Sequence, residues 1–209
     1  VNTVRTMRKT LHAIGTLIMA LALLAGCTAN VRVDEQFPDV VSQPRDLNAA
    51  LVVSQHFRQF QAQPVENTII QLGEAQVQLL TKAFQGLFEQ VEVVDSKANV
   101  GPGTDIVITP SVRDVQISVP SESYLNVYEV WIKYGLEIEA ADGTAIDSWF
   151  LPAYGKTPDS YLLSRSKAID EATVVALRDA GAKLILDFYR IPAFHGWWQQ
   201  HQKLKEAGP

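Results

Sequence analysis

The stretch that decides the fold is Val130-Trp131-Ile132-Lys133-Tyr134-Gly135-Leu136-Glu137-Ile138-Glu139-Ala140, followed by Asp142-Gly143 and then Ala145 through Tyr154. Val130, Ile132, Tyr134, Leu136, Ile138 and Ala140 alternate with Trp131, Lys133, Glu137 and Glu139, so one side of a strand is apolar and the other wet. A strand of that kind belongs to an antiparallel sheet with one covered face. Asp-Gly is a strong hairpin turn, because glycine accepts positive φ without steric cost. Residues 145–154 are the returning strand, with Pro152 limiting its extent.

Upstream, residues 105–119 read as a strand interrupted at Pro110, which removes a ladder donor and places that point at a bulge or an edge. Gly101-Pro102-Gly103 makes a turn before it, and residues 91–94 are a short β-rich piece. From Thr68 to about Gln90 the residues Ile69, Leu72, Val77, Leu80, Phe84, Leu87 and Phe88 recur at helical spacing, with Thr68 and Gln71 at capping-box spacing. Residues 49–60 suit a strand that Pro64 ends. Residues 166–188 form a second helix, whose stripe of Ile169, Ala172, Ala176, Ala180 and Leu184 permits close approach to its neighbour. The economical packing is an α+β two-layer sandwich, with two helices on one face of a mostly antiparallel sheet.

The amino terminus has a different character. Arg5, Arg8 and Lys9 precede an uncharged stretch, residues 13–26, whose Ile14, Leu17, Ile18, Leu21, Leu23 and Leu24 supply apolar bulk. This is the n-region and h-region of an export signal, too short as a helix for the ~30 Å hydrocarbon core of a bilayer. Met7-Arg8-Lys9 is a more ordinary signal start than Val1. The stretch closes on Leu24-Ala25-Gly26-Cys27, and Cys27 is the single cysteine of the 209 residues. This quartet resembles the lipobox of bacterial lipoprotein precursors. The resemblance implies cleavage between Gly26 and Cys27, acylation of Cys27 and loss of residues 1–26. Two or three acyl chains, at about 0.8 kcal/mol per buried methylene, make such attachment effectively permanent. Thr28, where Asp would imply inner-membrane retention, points to the periplasmic face of the outer membrane.

The expected organisation is then a signal at 1–26, the acylated cysteine and a tether at 27–48, a domain at 49–190 and an aromatic, polar tail at 191–209. Loss of Arg5, Arg8 and Lys9 leaves 15 Lys+Arg against 23 Asp+Glu, a net charge of −8. Nucleic acid is not an expected partner of such a chain, and the membrane is reached through the lipid on Cys27 rather than by charge.

The lipobox, the first helix ending at Phe84 to Glu89, the strand at 105–119, the hairpin around Ala141-Asp142-Gly143-Thr144 and the alanine-rich second helix resemble the YajG-type lipoproteins of Gram-negative bacteria. The order of elements is also similar to other small outer-membrane accessory lipoproteins. The resemblance covers most of residues 50–190 and implies a cell-envelope role with no catalytic residues to transfer.

No Gly-x-Ser-x-Gly, P-loop or dinucleotide fingerprint occurs. Proline in Gly101-Pro102-Gly103 removes an amide that a phosphate cradle would use. His56, His195 and His201 lack metal-ligand spacing, so neither metal nor cofactor is expected. The tail concentrates Phe194, Trp197 and Trp198, which read either as an interfacial anchor for an envelope protein or bilayer, or as a cover folded back on the sheet. Trp131, with Tyr128 and Tyr124, is a candidate second contact surface on the wet sheet face. The expected function is that of a non-enzymatic accessory or scaffold subunit of an envelope assembly. Two alternatives stand beside it. A lipid- or glycan-binding module requires an apolar pocket between helices and sheet, and a hydrolase requires Ser or Asp within reach of His56 or His195.

Overall fold

The computed structural model describes residues 28–33, 36–122, 125–161 and 164–207, so the signal, Gly26, Cys27 and Tyr124 lie outside the described residues. In chain order the elements are β1 (Ala29–Arg32), β2 (Arg45–Val52), α1 (Gln55–Arg58), β3 (Gln61–Val65), β4 (Thr68–Gln71), α2 (Gly73–Leu87), β5 (Phe88–Val94), β6 (Ile106–Ser118), β7 (Val127–Ala140), β8 (Ala145–Pro158), α3 (Arg165–Asp187) and α4 (Pro192–Ala207).

The chain is α+β, but its sheets are mixed rather than mostly antiparallel. A five-stranded sheet has the order β5-β2-β6-β7-β8. Strand β2 pairs in parallel with both β5 and β6, whereas β6-β7 and β7-β8 are antiparallel. A second sheet, β1-β4-β3, joins one parallel to one antiparallel pair. The physical reason is the long connection from β2 to β5, which contains α2, since parallel neighbours require a crossover and antiparallel ones only a hairpin.

The meander matches its sequence pattern. Val130, Ile132, Tyr134, Leu136 and Ile138 of β7 are buried, and they join Leu47, Leu51, Ile106 and Ile108 in one core with Leu80 and Phe84 of α2 and Ile169, Leu177 and Leu184 of α3. Gly143 takes φ +85° in the hairpin turn. The alanine stripe of α3 meets β8 at Gly155, where a Cβ would lie 2.0 Å from the Ala172 carbonyl oxygen and 2.3 Å from the Ala176 nitrogen.

Pro110 and Pro152 both sit at edges. Strand β2 pairs with β6 only from Ile106 to Ile108, so Pro110 lies beyond that pairing, and the register shift falls later, between Val112 and Asp114. Strand β8 is outermost and continues past Pro152 to Pro158. Two residues on from Pro152, on the same edge, the Tyr154 amide donates to Asp179 Oδ2 at 2.9 Å. The Lys183 ammonium donates to the Pro152 carbonyl at 3.0 Å, so α3 blunts this edge.

Other boundaries move. Thr68 and Gln71 are not a capping box but the ends of β4, and α2 begins at Gly73 with no side-chain cap. The Phe60 carbonyl accepts from Leu72 N at 3.2 Å and Gly73 N at 3.1 Å, supplying from the backbone what a cap would supply. Only glycine fits there, since a Cβ on Gly73 would lie 1.9 Å from the Arg58 carbonyl oxygen. Residues 49–60 divide into the end of β2 and α1, where Ser54 Oγ accepts from Phe57 N. Within the span read as a tether, β1 pairs with β4 while Val31, Val33 and Phe37 are buried, so the described part lies packed along the domain. The aromatic, polar tail is helix α4 over Pro192–Ala207.

Candidate interaction surfaces

The wet side of β7 carries a row of aromatic and charged side chains. Trp131 is 38% exposed and Phe150, from β8, is 50% exposed. Register pairs Trp131 with Tyr154, and their rings meet at 5.3 Å. The Tyr154 hydroxyl donates to Glu129 Oε1 at 2.6 Å, and this bond, with burial and the carboxylate charge, pushes its pKa up to about 12. The Lys133 ammonium lies 4.5 Å from the centre of the Phe150 ring. Arg113 pairs with Glu137 at 3.0 Å, and Ser148 Oγ donates to the same carboxylate at 3.0 Å. Gly135 gives Arg113 its path across the strand, because a Cβ there would lie 2.6 Å from Arg113 Nε. Trp131 thus occupies the face read for it. Tyr128 does not: it shares the parity of Val130 and packs against the inner core.

The tail aromatics turn mostly inward. Phe194 is fully buried and Trp198 is 6% exposed, so neither is available as a docking surface, while Trp197 is half-buried. Phe194 meets Phe188 at 4.6 Å, and Phe188 meets Phe88 at 5.5 Å and Phe84 at 5.7 Å. The Arg45 guanidinium lies 4.4 Å from the Tyr189 ring centre and 5.9 Å from that of Trp198. Tyr189 donates to the Leu87 carbonyl at 2.6 Å, and burial raises its pKa against the opposing charge of Arg45. Along α4, Trp197, His201 and Lys205 stand at i, i+4 spacing. The imidazole of His201 stacks on Trp197 at 4.8 Å, and its Nε2 lies 3.1 Å from Asp105 Oδ1. Lys205 reaches Asp105 and Asp46 at 3.7 Å each, so these groups hold the helix to the sheet.

A third feature carries no sequence signature of its own. An apolar cleft of about 340 Å³ lies between α2 and α3 beneath residues 37–40, bordered by Phe37, Leu79, Ala83, Gly181, Ala182 and Ile185. This cleft lies between the helices and the amino-terminal segment, not between helices and sheet, where the ligand-binding alternative places its pocket. Lys82, Arg178 and Asp39 border it. The Lys82 ammonium donates to the Phe37 carbonyl at 2.6 Å and to Asp39 Oδ1 at 2.8 Å, and this contact holds the Asp39 carboxyl below the usual carboxylate range. Gly86 leaves room for Val40, since a Cβ there would lie 2.5 Å from Val40 Cγ1, and the Ser42 hydroxyl donates to the Gly86 carbonyl. Ala83 on α2 and the Gly181-Ala182 pair on α3 are the small residues beside it, a pattern that close helix packing also produces.

Candidate chemistry is sparse. His56 is exposed and edge-on to Phe60, and His195 is exposed beside Gln199. The imidazole with a carboxylate beside it is His201, whose Asp105 also accepts from Asn48 N at 2.8 Å. Among the described residues no three His, Cys, Asp or Glu side chains gather as metal ligands. The Gly101 amide donates to Glu92 Oε1 at 2.7 Å, so a carboxylate of the chain itself occupies that turn. Among the described residues no helix is long and apolar enough to cross a membrane.

No protein-family model matches this chain, and no curated protein matches it. Similar solved structures include lipoproteins. A candidate lipoprotein from Caulobacter crescentus is 12% identical over 66% of this chain and 86% of its own, with TM-score 0.40. A minor lipoprotein from Acinetobacter baumannii is 10% identical over 69% and 92%, with TM-score 0.43. A hypothetical protein from Chlamydia trachomatis is 8% identical over 68% and 96%, with TM-score 0.42. At that similarity none of them sets an activity for this chain, and the YajG-type resemblance has no matching family model behind it.

Proposed function

We propose that this chain is a non-enzymatic envelope lipoprotein, held by acylated Cys27 at the periplasmic face of the outer membrane, that serves as an accessory subunit of an envelope assembly. The observation that carries the reading is the outer face of β7 and β8, which leaves Trp131 and Phe150 exposed amid fixed charges while the inner face of the same strands is fully packed. Exposed aromatic side chains with a polar rim are characteristic of protein contact surfaces. The anchor rests on the residues around Cys27, where the one cysteine stands at the close of an export signal.

The test is in-cell crosslinking of the full chain, followed by mass spectrometry, with a Trp131→Ala/Phe150→Ala variant beside it. Reproducible capture of one envelope protein, lost in the variant while thermal stability is kept, is the expected result. Capture unchanged by the double substitution removes the outer face from the proposal, and loss of membrane attachment in Cys27→Ser tests the anchor separately. A second reading, a lipid- or glycan-binding module, has the cleft between α2 and α3 in its favour.

A further inference from the structure

We infer that the end of the domain at which β1 begins lies directly on the phospholipid headgroups, seated there by a link too short to hold it away. This inference rests on the acylated Cys27 proposed above and adds the face that meets the bilayer. Acyl chains lie in the hydrocarbon core, so Cys27 itself stands in the polar layer, which is roughly 5–8 Å deep on each side of a bilayer. Only Thr28 separates Cys27 from β1, which starts at Ala29. Two residues of extended chain span about 7 Å at most, so Ala29 is held at the outer margin of that layer. Strand β1 supplies no slack. The Ala29 amide donates to the Asn67 carbonyl at 2.8 Å, and the strand pairs with β4 from Ala29 opposite Thr68 to Arg32 opposite Gln71. Val31, and Val33 and Phe37 beyond it, are buried, so peeling this segment away to make a tether would return apolar side chains to water.

The neighbours of Ala29 then identify the contact. Thr68, its register partner, accepts through Oγ1 from Arg165 Nη2 at 3.1 Å, which brings the start of α3 to the same place. Helix α3 runs antiparallel to β8, from Ala172 and Ala176 beside Gly155 to Lys183 beside Pro152, so its start and the end of β8 share one end of the sheet. There the Asp159 amide donates to the Asn126 carbonyl at 3.0 Å, next to Leu125, which is 60% exposed. The seat is therefore the Glu66-Asn67 turn, Leu125 and the exposed Arg165 and Lys167. Leu125 offers an apolar side chain to the interface, and the two cations meet phosphate oxygens. Glu66 is exposed in the same turn, so the signs are mixed and zwitterionic phospholipid suffices. The Asp142-Gly143 hairpin is at the opposite end, because β8 covers Ala145–Pro158, about 43 Å at about 3.3 Å per residue.

The experiment takes the full chain, processed and acylated in cells, into phosphatidylcholine vesicles that contain a nitroxide headgroup. One introduced cysteine at a time carries a fluorophore, since the Cys27 sulfur is occupied by its lipid. Glu66→Cys and Lys167→Cys are at the seat and Ala145→Cys is at the far hairpin, all three at exposed positions. The first two are expected to lose most of their emission to the nitroxide, and the third to keep it. A Gly-Ser spacer of about ten residues between Thr28 and Ala29, roughly 18 Å in mean reach, is expected to restore most of that emission while the chain still floats with the vesicles. Flotation with no quenching, or with equal quenching at all three positions, overturns the seating and leaves the anchor standing. Quenching that the spacer does not relieve overturns the role of the short link. Failure of the parent chain to float overturns anchor and seating together.

Discussion

Strand β7 presents one face to each of two environments, and the two faces follow different rules. On the inner side Val130, Ile132, Tyr134, Leu136 and Ile138 are at most 1% exposed and packed on by helices. On the outer side Trp131 is 38% exposed, Gly135 makes way for Arg113, and Glu129, Lys133 and Glu137 are each held by a neighbour. Shape complementarity with the helices constrains the inner side, while the outer one is constrained by what lies beside each residue on its own surface. Substitutions should therefore cost stability inside and alter contacts outside.

The largest effect is expected where the inner core depends on rings. Phe194 anchors α4 against Phe188, and Phe194→Ala should lower unfolding free energy by about 3–5 kcal/mol, read as a fall in the urea midpoint. Near-wild-type stability would mean that α4 is an appendage rather than part of the core. Next comes Gly155→Ala. Its added methyl would meet the backbone of α3 at Ala172 and Ala176, which cannot yield as a side chain can, so a loss of about 2–3 kcal/mol is expected in the same assay. A smaller loss would show that α3 slides along β8.

The same division explains what was legible in advance. The parity of β7, the Asp142-Gly143 turn and the stripe of α3 are written in neighbouring residues, so local periodicity placed them correctly. The start of α2 is not local: it is set by the Phe60 carbonyl and by the space that Gly73 leaves beside Arg58, and Thr68 with Gln71 only imitated a cap. The parallel pairing of β2 with β5 depends on partners about forty residues apart, which one sequence does not announce. In the tail the signal was present in the i, i+4 spacing of Phe194 with Trp198 and of Trp197 with His201, a helical pattern hidden by the polar residues between. Of the candidate contact residues, Trp131 lies on the face its alternation indicated. For Phe194 and Trp198 the sequence left an anchor and a folded-back cover both open, because aromatic content does not distinguish a ring that docks from one that folds back, and both rings lie buried. The cleft was illegible because its roof comes from a segment rich in turn residues, and only the fold brings Phe37 against Ile185.

The finest test compares two phenols, one from each face. Tyr134 points inward, and its hydroxyl is buried with no hydrogen-bond partner among the described residues; burial raises its pKa far above that of a free phenol. An unpartnered buried donor costs free energy, so Tyr134→Phe should raise stability, by about 1 kcal/mol. A loss instead would reveal a bound water or a partner for that hydroxyl. Tyr154 is the outward counterpart, bonded to Glu129, and Tyr154→Phe should lower stability by about 0.5 kcal/mol, the smaller and opposite effect. The two also separate by pH. The folded pKa of Tyr154, about 12, is above the ordinary value of 10, so the unfolded chain loses this proton first. Its contribution is complete below pH 10 and is lost as pH rises from 10 through about 12. Unfolding midpoints measured across that window should fall less steeply for Tyr154→Phe than for the parent chain. If the two slopes coincide, the bond to Glu129 does not persist in solution, and the outer face is a set of independent side chains rather than a fixed surface.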